Sequence, residues 1–238
     1  MRLMKSNKKN LVFLTGAGVS AESGIPTFRD ENGLWRNHDC MELASIEGFI
    51  KDPQAVLDFY NERRKNLDTV EPNEAHRVIA SLESRFNVTV VTQNVDDLHE
   101  RAGSQRVLHL HGELRKVTSS IDKYNPKCIE EWPLDKPIKL GDKAADGSQV
   151  RPYIVWFGEN LSNEYSLAVN AISQADILVV IGTSLTVSPA CFLVNYATKA
   201  ELKYIIDPHI SSDYVPAGFE LIKEIASDGM KTLTSGVS

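Results

Sequence analysis

The sequence predicts an α/β protein, a parallel sheet with helices on both faces, carrying a small inserted lobe. Three observations lead there. Short β-branched or leucine-rich runs, continuously apolar, recur along the chain, as strands buried on both faces require. Stretches with helical spacing separate them, and strand alternating with helix implies βαβ units with right-handed crossovers. One long interval, from about Leu114 to Pro152, breaks both patterns.

In chain order, Leu11–Leu14 is the first strand and runs directly into a glycine-rich turn. Pro53–Asn66 reads as a helix because Val56, Leu57, Tyr60 and Arg63 or Arg64 recur at steps of three and four. Glu74–Leu82 is another, through Ala75, Val78, Ile79 and Leu82. Val88–Val91 and Val107–Leu110 are the next strands. Ser119, Ser120, Pro126, Pro133, Pro137, Gly141 and Gly147 punctuate the inserted interval. Ile177–Ile181 and Tyr204–Ile206 complete the sheet, and the last stretch, Ser227–Ser238, is expected to fray.

At 238 residues the chain has room for one large domain or one domain with an insertion. Hydrophobic residues at 42% and charged ones at 24% suit a buried core and exclude wholesale disorder. A net charge of -6 argues against nucleic acid as a partner through the surface as a whole. The basic cluster Arg2, Lys5, Lys8 and Lys9 precedes too few apolar residues for a signal-peptide core or a membrane span. A cytoplasmic protein without a membrane partner, a monomer or weak oligomer, is expected. Cys40, Cys128 and Cys191 are odd in number, far apart and lack a CxxC pair, so neither a disulfide framework nor a structural zinc site is suggested. Each reads as a small buried or bystander residue.

Glycines at Gly16 and Gly18, directly after the first strand, let the backbone approach a pyrophosphate, and a helix N-terminus there would offer it N–H groups. Ala21 stands where the dehydrogenase fingerprint has a third glycine, so a tight strand-to-helix turn without a nucleotide stays open. Among the histidines, alternation along Val107–Gly112 puts His109 and His111 on one face, with Gly112 ending the strand and leaving access to His111. Imidazole suits proton transfer at neutral pH. A structural histidine is the other reading, and the one adopted for His109. Gln93, Asn94 and Asp96 follow a strand at its carboxyl end, where open α/β sheets bind ligands; Asp96 and Asp97 alone also suit a helix N-cap pair. Tyr60 and Arg63, one helical turn apart, can together bind a carboxylate, or form an ordinary solvated face.

The stretch Gly16-Ala17-Gly18-Val19-Ser20-Ala21-Glu22-Ser23-Gly24-Ile25-Pro26-Thr27-Phe28-Arg29 resembles the opening motif of the sirtuins, the NAD-dependent protein deacylases. Four further blocks agree in order: Thr92-Gln93-Asn94-Val95-Asp96, His111-Gly112-Glu113-Leu114, Val155-Trp156-Phe157-Gly158-Glu159 and Gly182-Thr183-Ser184. The resemblance spans roughly Asn10 to Ile225. It implies a large Rossmann-like part over about 1–32, 71–114 and 153–238, and a small lobe from about 33–70 and 115–152. It implies that Gly16, Ala17, Gly18, Ala21, Gln93, Gly182, Thr183 and Ser184 hold NAD, that Ile25, Asn94 and Asp96 line the nicotinamide pocket, and that Phe28 and Arg29 cover the cofactor. His111 is then the general base, with Asn94 beside it. A substrate peptide would add a strand along Ile154–Glu159, with Val155 and Phe157 walling the acyl-lysine tunnel and Gly158 and Glu159 closing the segment.

In the implied reaction the acyl-lysine carbonyl oxygen attacks the anomeric carbon of NAD, nicotinamide leaves, His111 deprotonates a ribose hydroxyl, and water releases lysine and O-acyl-ADP-ribose. The spacing from Ala44 through Tyr60 to Arg63 resembles the subgroup that removes succinyl, malonyl and glutaryl groups, so acidic acyl groups are expected as substrates beside acetyl. Two departures stand out. Most sirtuins carry two cysteine pairs for a zinc, whereas here only Cys128 lies between Leu114 and Val155, so a zinc-free lobe packed through Tyr124, Ile129, Trp132, Leu134, Ile138 and Leu140 is expected. The family's Asn-Leu-Glu after a later strand reads Ile205-Ile206-Asp207-Pro208, which removes a ribose contact. The competing readings are NAD hydrolysis or ADP-ribosyl transfer, and a non-catalytic NAD sensor.

Overall fold

The computed structural model describes residues 8–27 and 40–236. Its strands are β1 (Asn10–Thr15), β2 (Asn87–Thr92), β3 (Val107–His109), β4 (Gly112–Ser119), β5 (Glu130–Glu131), β6 (Val150–Ile154), β7 (Ile177–Ile181), β8 (Leu202–Ile206) and β9 (Glu220–Ile222). Its α-helices are α1 (Cys40–Leu43), α2 (Ile46–Lys51), α3 (Pro53–Leu67), α4 (Glu74–Ser81), α5 (Leu98–Arg101), α6 (Glu164–Ser173) and α7 (Ala226–Gly236).

The expected α/β architecture is present. Six strands pair in the order β3-β2-β1-β7-β8-β9, all parallel. The chain winds outward from β1 to β3, then returns to β7 on the other side of β1. The strand order therefore reverses beside β1, and the carboxyl ends of β1 and β7, where Thr15 pairs with Ile181, open the crevice in which such sheets bind ligands. Val12, Leu14, Leu178 and Val180 pack on one face with Ala168 and Ile172 of α6, while Leu11, Phe13, Val179 and Ile181 pack on the other with Ala75 and Ile79 of α4. Burial on both faces is why these strands show no alternation in the sequence.

Asp52 caps α3 by accepting from the Ala55 N–H, and Pro53 occupies the first turn, where a missing N–H costs nothing. The two arginines of α3 then part company. Arg64 turns inward, donating to the carbonyls of Leu114, Trp132 and Pro133, and so ties the helix to the small sheet. Arg63 stays half-buried beside the Phe59 and Tyr60 rings.

The patternless interval contains a second sheet, β5-β4-β6, antiparallel. It reaches from Gly112 to Ile154, so the expected junctions near 114 and 152 fall inside strands. Gly112 begins β4 and does not end β3. Its positive φ of 83° and a Cβ that would overlap the Tyr153 carbonyl exclude a side chain there. The lobe is fastened by apolar packing of Val117, Cys128, Ile138, Ala144 and Val150 against Leu57, and by a polar knot. In that knot Ser119 and Ser148 each donate to Asp146 at 2.6 Å. Leu134 and Trp132 join the packing, but Leu140, expected inside, is 48% exposed. Among the described residues no cluster of His, Cys, Asp and Glu is placed to hold a metal.

The expected frayed tail is corrected: α7 covers the sheet through Ala226, Met230 and Leu233. Its small polar residues give little helical signal, but Gly229 lies against Ile206, where a Cβ would overlap a methyl group, and the Ser227 N–H is held by Glu22. Among the described residues no helix is long and apolar enough to cross a membrane.

Candidate active site

After β1 the chain makes a pair of 3₁₀ turns, Ala17–Val19 and Ala21–Ser23, and not the α-helix expected there. The glycines also have a task that the sequence did not announce. The Gly16 N–H donates to the Ile181 carbonyl at 3.0 Å and the Gly18 N–H to the Gly182 carbonyl at 2.9 Å. A Cβ on Gly18 would sit 2.6 Å from the Gly182 Cα, and one on Gly16 would sit 2.7 Å from the Thr183 Cβ. These glycines interlock the β1 and β7 loops, and both amides donate to carbonyls at the end of β7.

The interlocked loops floor a cavity of about 820 Å³ at the carboxyl ends of the central strands. It brings together Gly16, Ala17, Gly18, Ala21, Gln93, Asn94, His111, Gly182, Thr183 and Ser184 with Ala44, Tyr60, Arg63, Val155, Phe157, Gly158 and Glu159. Asp207 and Pro208 also reach its wall, whereas Ile205 is buried inside β8. Asp207 accepts the N–H groups of His209 and Ile210 and so shapes the turn after β8. Ile25 packs instead against the small-lobe core, and Asp96 lies behind the wall. Phe28 and Arg29 lie outside the described residues.

Behind the wall runs a chain of buried polar groups. The Asn94 amide donates to Ser20 Oγ at 3.1 Å, and the Ser20 hydroxyl donates to Asp96 Oδ2 at 3.1 Å. Asp96 Oδ1 accepts the Leu98 N–H, so it serves α5 while its neighbour Asp97, at the N-cap, pairs with Arg115. Burial pushes the Asp96 carboxyl up, and its two hydrogen bonds offset that in part. His76 accepts the Asn73 N–H at Nδ1, leaving Nε2 to face Ser20 at 3.5 Å. Burial, with Arg77 nearby, lowers His76 to about 4, so the ring is neutral. Neither Ser20 nor His76 received a role from the sequence. Ser20 sat unassigned inside a motif, and the capping box that His76 forms with Asn73 has histidine where the sequence signature has Glu or Gln.

Because a carbonyl only accepts, the 2.9 Å contact between His111 Nδ1 and the Gln93 oxygen places the ring proton on Nδ1. Nε2 is then the free base, and burial holds the imidazole below its usual range, neutral and ready to take a proton. The Gln93 side chain donates to Thr183 Oγ1 at 3.0 Å, joining the β2 and β7 loops. His109 has the expected structural role: it contacts the Asn94 carbonyl at 3.0 Å and Glu100 at 2.7 Å.

Beyond β6 the Val155 N–H donates to the His111 carbonyl at 2.9 Å and the Phe157 N–H to the Ala44 carbonyl at 2.8 Å. The Trp156 N–H goes to Glu159 at 2.8 Å. The N–H groups of Val155, Trp156 and Phe157 are thus used internally, and the Trp156 carbonyl accepts the Glu159 N–H at 3.0 Å. Glu159 points its carboxylate inward, to Arg151 at 2.7 Å and Lys123 at 2.8 Å. Tyr60 is buried and accepts the Trp156 indole N–H at 3.0 Å.

The family model described as Sir2 family matches residues 16–189 of this site and sheet. The chain belongs to the Sir2 family. A protein of Bacteroides thetaiotaomicron named NAD-dependent protein deacylase is 52% identical over 226 residues, 94% of this chain and 96% of that protein. One of Helicobacter pylori with the same name is 52% identical over 225 residues, again 94% of this chain and 96% of that protein. Among solved structures, a Sir2 homologue variant with ADP-ribose matches with a TM-score of 0.85 and 38% identity, covering 97% of this chain and 92% of that one. A Sir2 protein with a deacetylated peptide and 3'-O-acetyl ADP-ribose matches with a TM-score of 0.78 and 28% identity, over 97% of this chain and 94% of that one. NAD fits the site of this Sir2-family chain on its own geometry. The cavity lies at the switch point, the Thr183 and Ser184 hydroxyls line the floor beside Ala17, and the Asn94 amide and the His111 base stand together on one wall.

Proposed function

We propose that this Sir2-family chain, acting as a single catalytic unit of two lobes, removes succinyl and malonyl groups, and acetyl groups as well, from protein lysines in an NAD-dependent reaction. NAD, when bound, supplies the anomeric carbon that releases nicotinamide and the ADP-ribose that accepts the acyl group. The chain's own part is to position and to move one proton. His111 Nε2, set as the base by the Gln93 carbonyl, takes the proton of a ribose hydroxyl. Asn94, braced by Ser20, orients the carboxamide end, and Val155 and Phe157 flank the acyl-lysine stem.

The observation that carries the acidic-acyl reading is the placement of Ala44, Tyr60 and Arg63 on the same cavity as His111. Ala44 leaves room, and a phenol beside a guanidinium binds a carboxylate through charge-assisted hydrogen bonds. Burial pushes the Tyr60 phenol up, and Arg63 offsets this only in part, so the hydroxyl keeps its proton and can donate it.

The test is mass spectrometry of one peptide bearing acetyl-, succinyl- or malonyl-lysine, with and without NAD. NAD-dependent loss of the acidic acyl groups is expected. Nicotinamide release with every peptide intact establishes NAD hydrolysis or ADP-ribosyl transfer instead, and NAD binding without turnover establishes a sensor. His111→Ala should still bind NAD by calorimetry yet lose deacylation by about 100-fold or more, the usual worth of a positioned base; unchanged turnover would remove His111 from that role.

A further inference from the structure

The functional reading gives no task to three buried side chains beside the acyl pocket: Arg151, Trp156 and the carboxylate of Glu159. Arg151 forks Glu159, with Nη1 to Oε1 at 2.7 Å and Nη2 to Oε2 at 3.2 Å, while Nη2 also donates to the Ile154 carbonyl at 2.8 Å. The same guanidinium lies 3.2 Å from the centre of the Trp156 ring. Glu159 in turn takes the Trp156 main-chain N–H at 2.8 Å, and Phe49 packs against the indole at 5.1 Å. Trp156 is therefore held at its backbone and across its ring.

What this support presents is the indole N–H, directed at the Tyr60 hydroxyl at 3.0 Å in a buried setting. An indole nitrogen only donates, so the hydroxyl accepts. A phenol oxygen has one proton and two lone pairs. With the indole on its acceptor side, and with nothing among the described residues accepting its proton, the Tyr60 O–H is left to a ligand in the cavity that it lines.

We propose that Trp156 is a positioning residue for acyl selection: clamped by Arg151 and Glu159, it fixes Tyr60 as a hydrogen-bond donor, which favours the terminal carboxylate of an acidic acyl group over a neutral acetyl group. A carboxylate satisfies that buried donor, whereas an acetyl methyl group leaves it without a partner, the costlier of the two states. This inference rests on the acidic-acyl reading above.

The test is steady-state kinetics of the wild type, Tyr60→Phe, Trp156→Phe and the double variant on succinyl- and acetyl-lysine forms of one peptide. Trp156→Phe keeps an aromatic ring beside Arg151 and removes the N–H donor together with part of the indole's volume. The succinyl-over-acetyl ratio of kcat/KM is expected to fall about tenfold, as loss of one hydrogen bond serving a charged group implies. The fall should lie in KM for the succinyl peptide, and Trp156→Phe should add nothing in the Tyr60→Phe background. Should Trp156→Phe not fold, 3-benzothienylalanine at position 156 asks the same question with the indole shape kept. If Tyr60→Phe lowers the ratio but Trp156→Phe leaves it unchanged, or lowers both substrates equally, the positioning role is wrong and the acidic-acyl reading stands. If Tyr60→Phe itself leaves the ratio unchanged, both are overturned.

Discussion

Two buried carboxylates flank the cavity and behave in opposite ways. Asp96, behind the Asn94 wall, is held by a hydroxyl and a backbone N–H, and burial raises its pKa. Glu159, behind the Trp156 wall, is buried as well, yet the Arg151 and Lys123 cations override desolvation and lower its pKa. Burial alone therefore does not decide what a carboxylate is for. Neutral donors leave Asp96 an adjustable acceptor that orients Ser20 and, through it, Asn94. Two cations lock Glu159 into its charged form as a structural post for Trp156.

The largest effect that would break this contrast is on stability. Glu159→Gln leaves two cations buried without their counter-charge and should cost about 3–5 kcal/mol in thermal or urea unfolding. Asp96→Asn removes a charge that is hydrogen-bonded by neutral donors and that Arg63 and His109 act on only through space, and should cost about 1 kcal/mol or less. Equal losses would erase the distinction.

The pH dependence sharpens it next. Glu159 has a folded pKa below its unfolded value of about 4.3, so its stabilisation is present above that pH and is lost as pH falls through the folded pKa. Asp96 has a folded pKa above its unfolded value of about 3.9, so it penalises folding increasingly as pH rises from there to the folded pKa. Melting curves taken from neutral to acid pH should therefore show the Glu159→Gln deficit shrinking in acid. The Asp96→Asn variant should compare best with wild type at neutral pH and lose that advantage in acid. Parallel trends for the two variants would contradict the assignment.

The smallest effect concerns metal. The lobe beside Glu159 is fastened by Ser119, Asp146 and Ser148 and by packing around Cys128. EDTA should leave both the melting temperature and the deacylation rate unchanged, and a drop in either would reveal a bound metal.

Much of the large sheet was legible because its strands are buried on both faces and read as unbroken apolar runs, as in Leu11–Leu14 and Ile177–Ile181. The small sheet was not, because β4 breaks alternation at Arg115-Lys116, where its pairing with β6 shifts register, and its lobe is held by side-chain hydrogen bonds that follow no period. The tail was misread for a related reason: Ser227, Asp228 and Gly229 are poor helix formers, and α7 exists because it docks on Ile206. In the site, the ordered motifs singled out His111 and Asn94, and the spacing from Ala44 through Tyr60 to Arg63 singled out the acyl pocket, whereas nothing in the sequence showed that the Glu159 carboxylate pairs with Arg151 and Lys123.

The sequence by itself determined the fold class, the family resemblance and the chemical kinds of group at the site, since apolar runs and ordered motifs are local properties of the chain. Tertiary structure alone decided which atoms face which. That His111 carries its proton on Nδ1, that Gly16 and Gly18 interlock two loops, and that Trp156 turns Tyr60 into a donor all depend on contacts between segments far apart in the chain. Hydrogen-bond direction and burial are set by those partners, and no single stretch of sequence contains them.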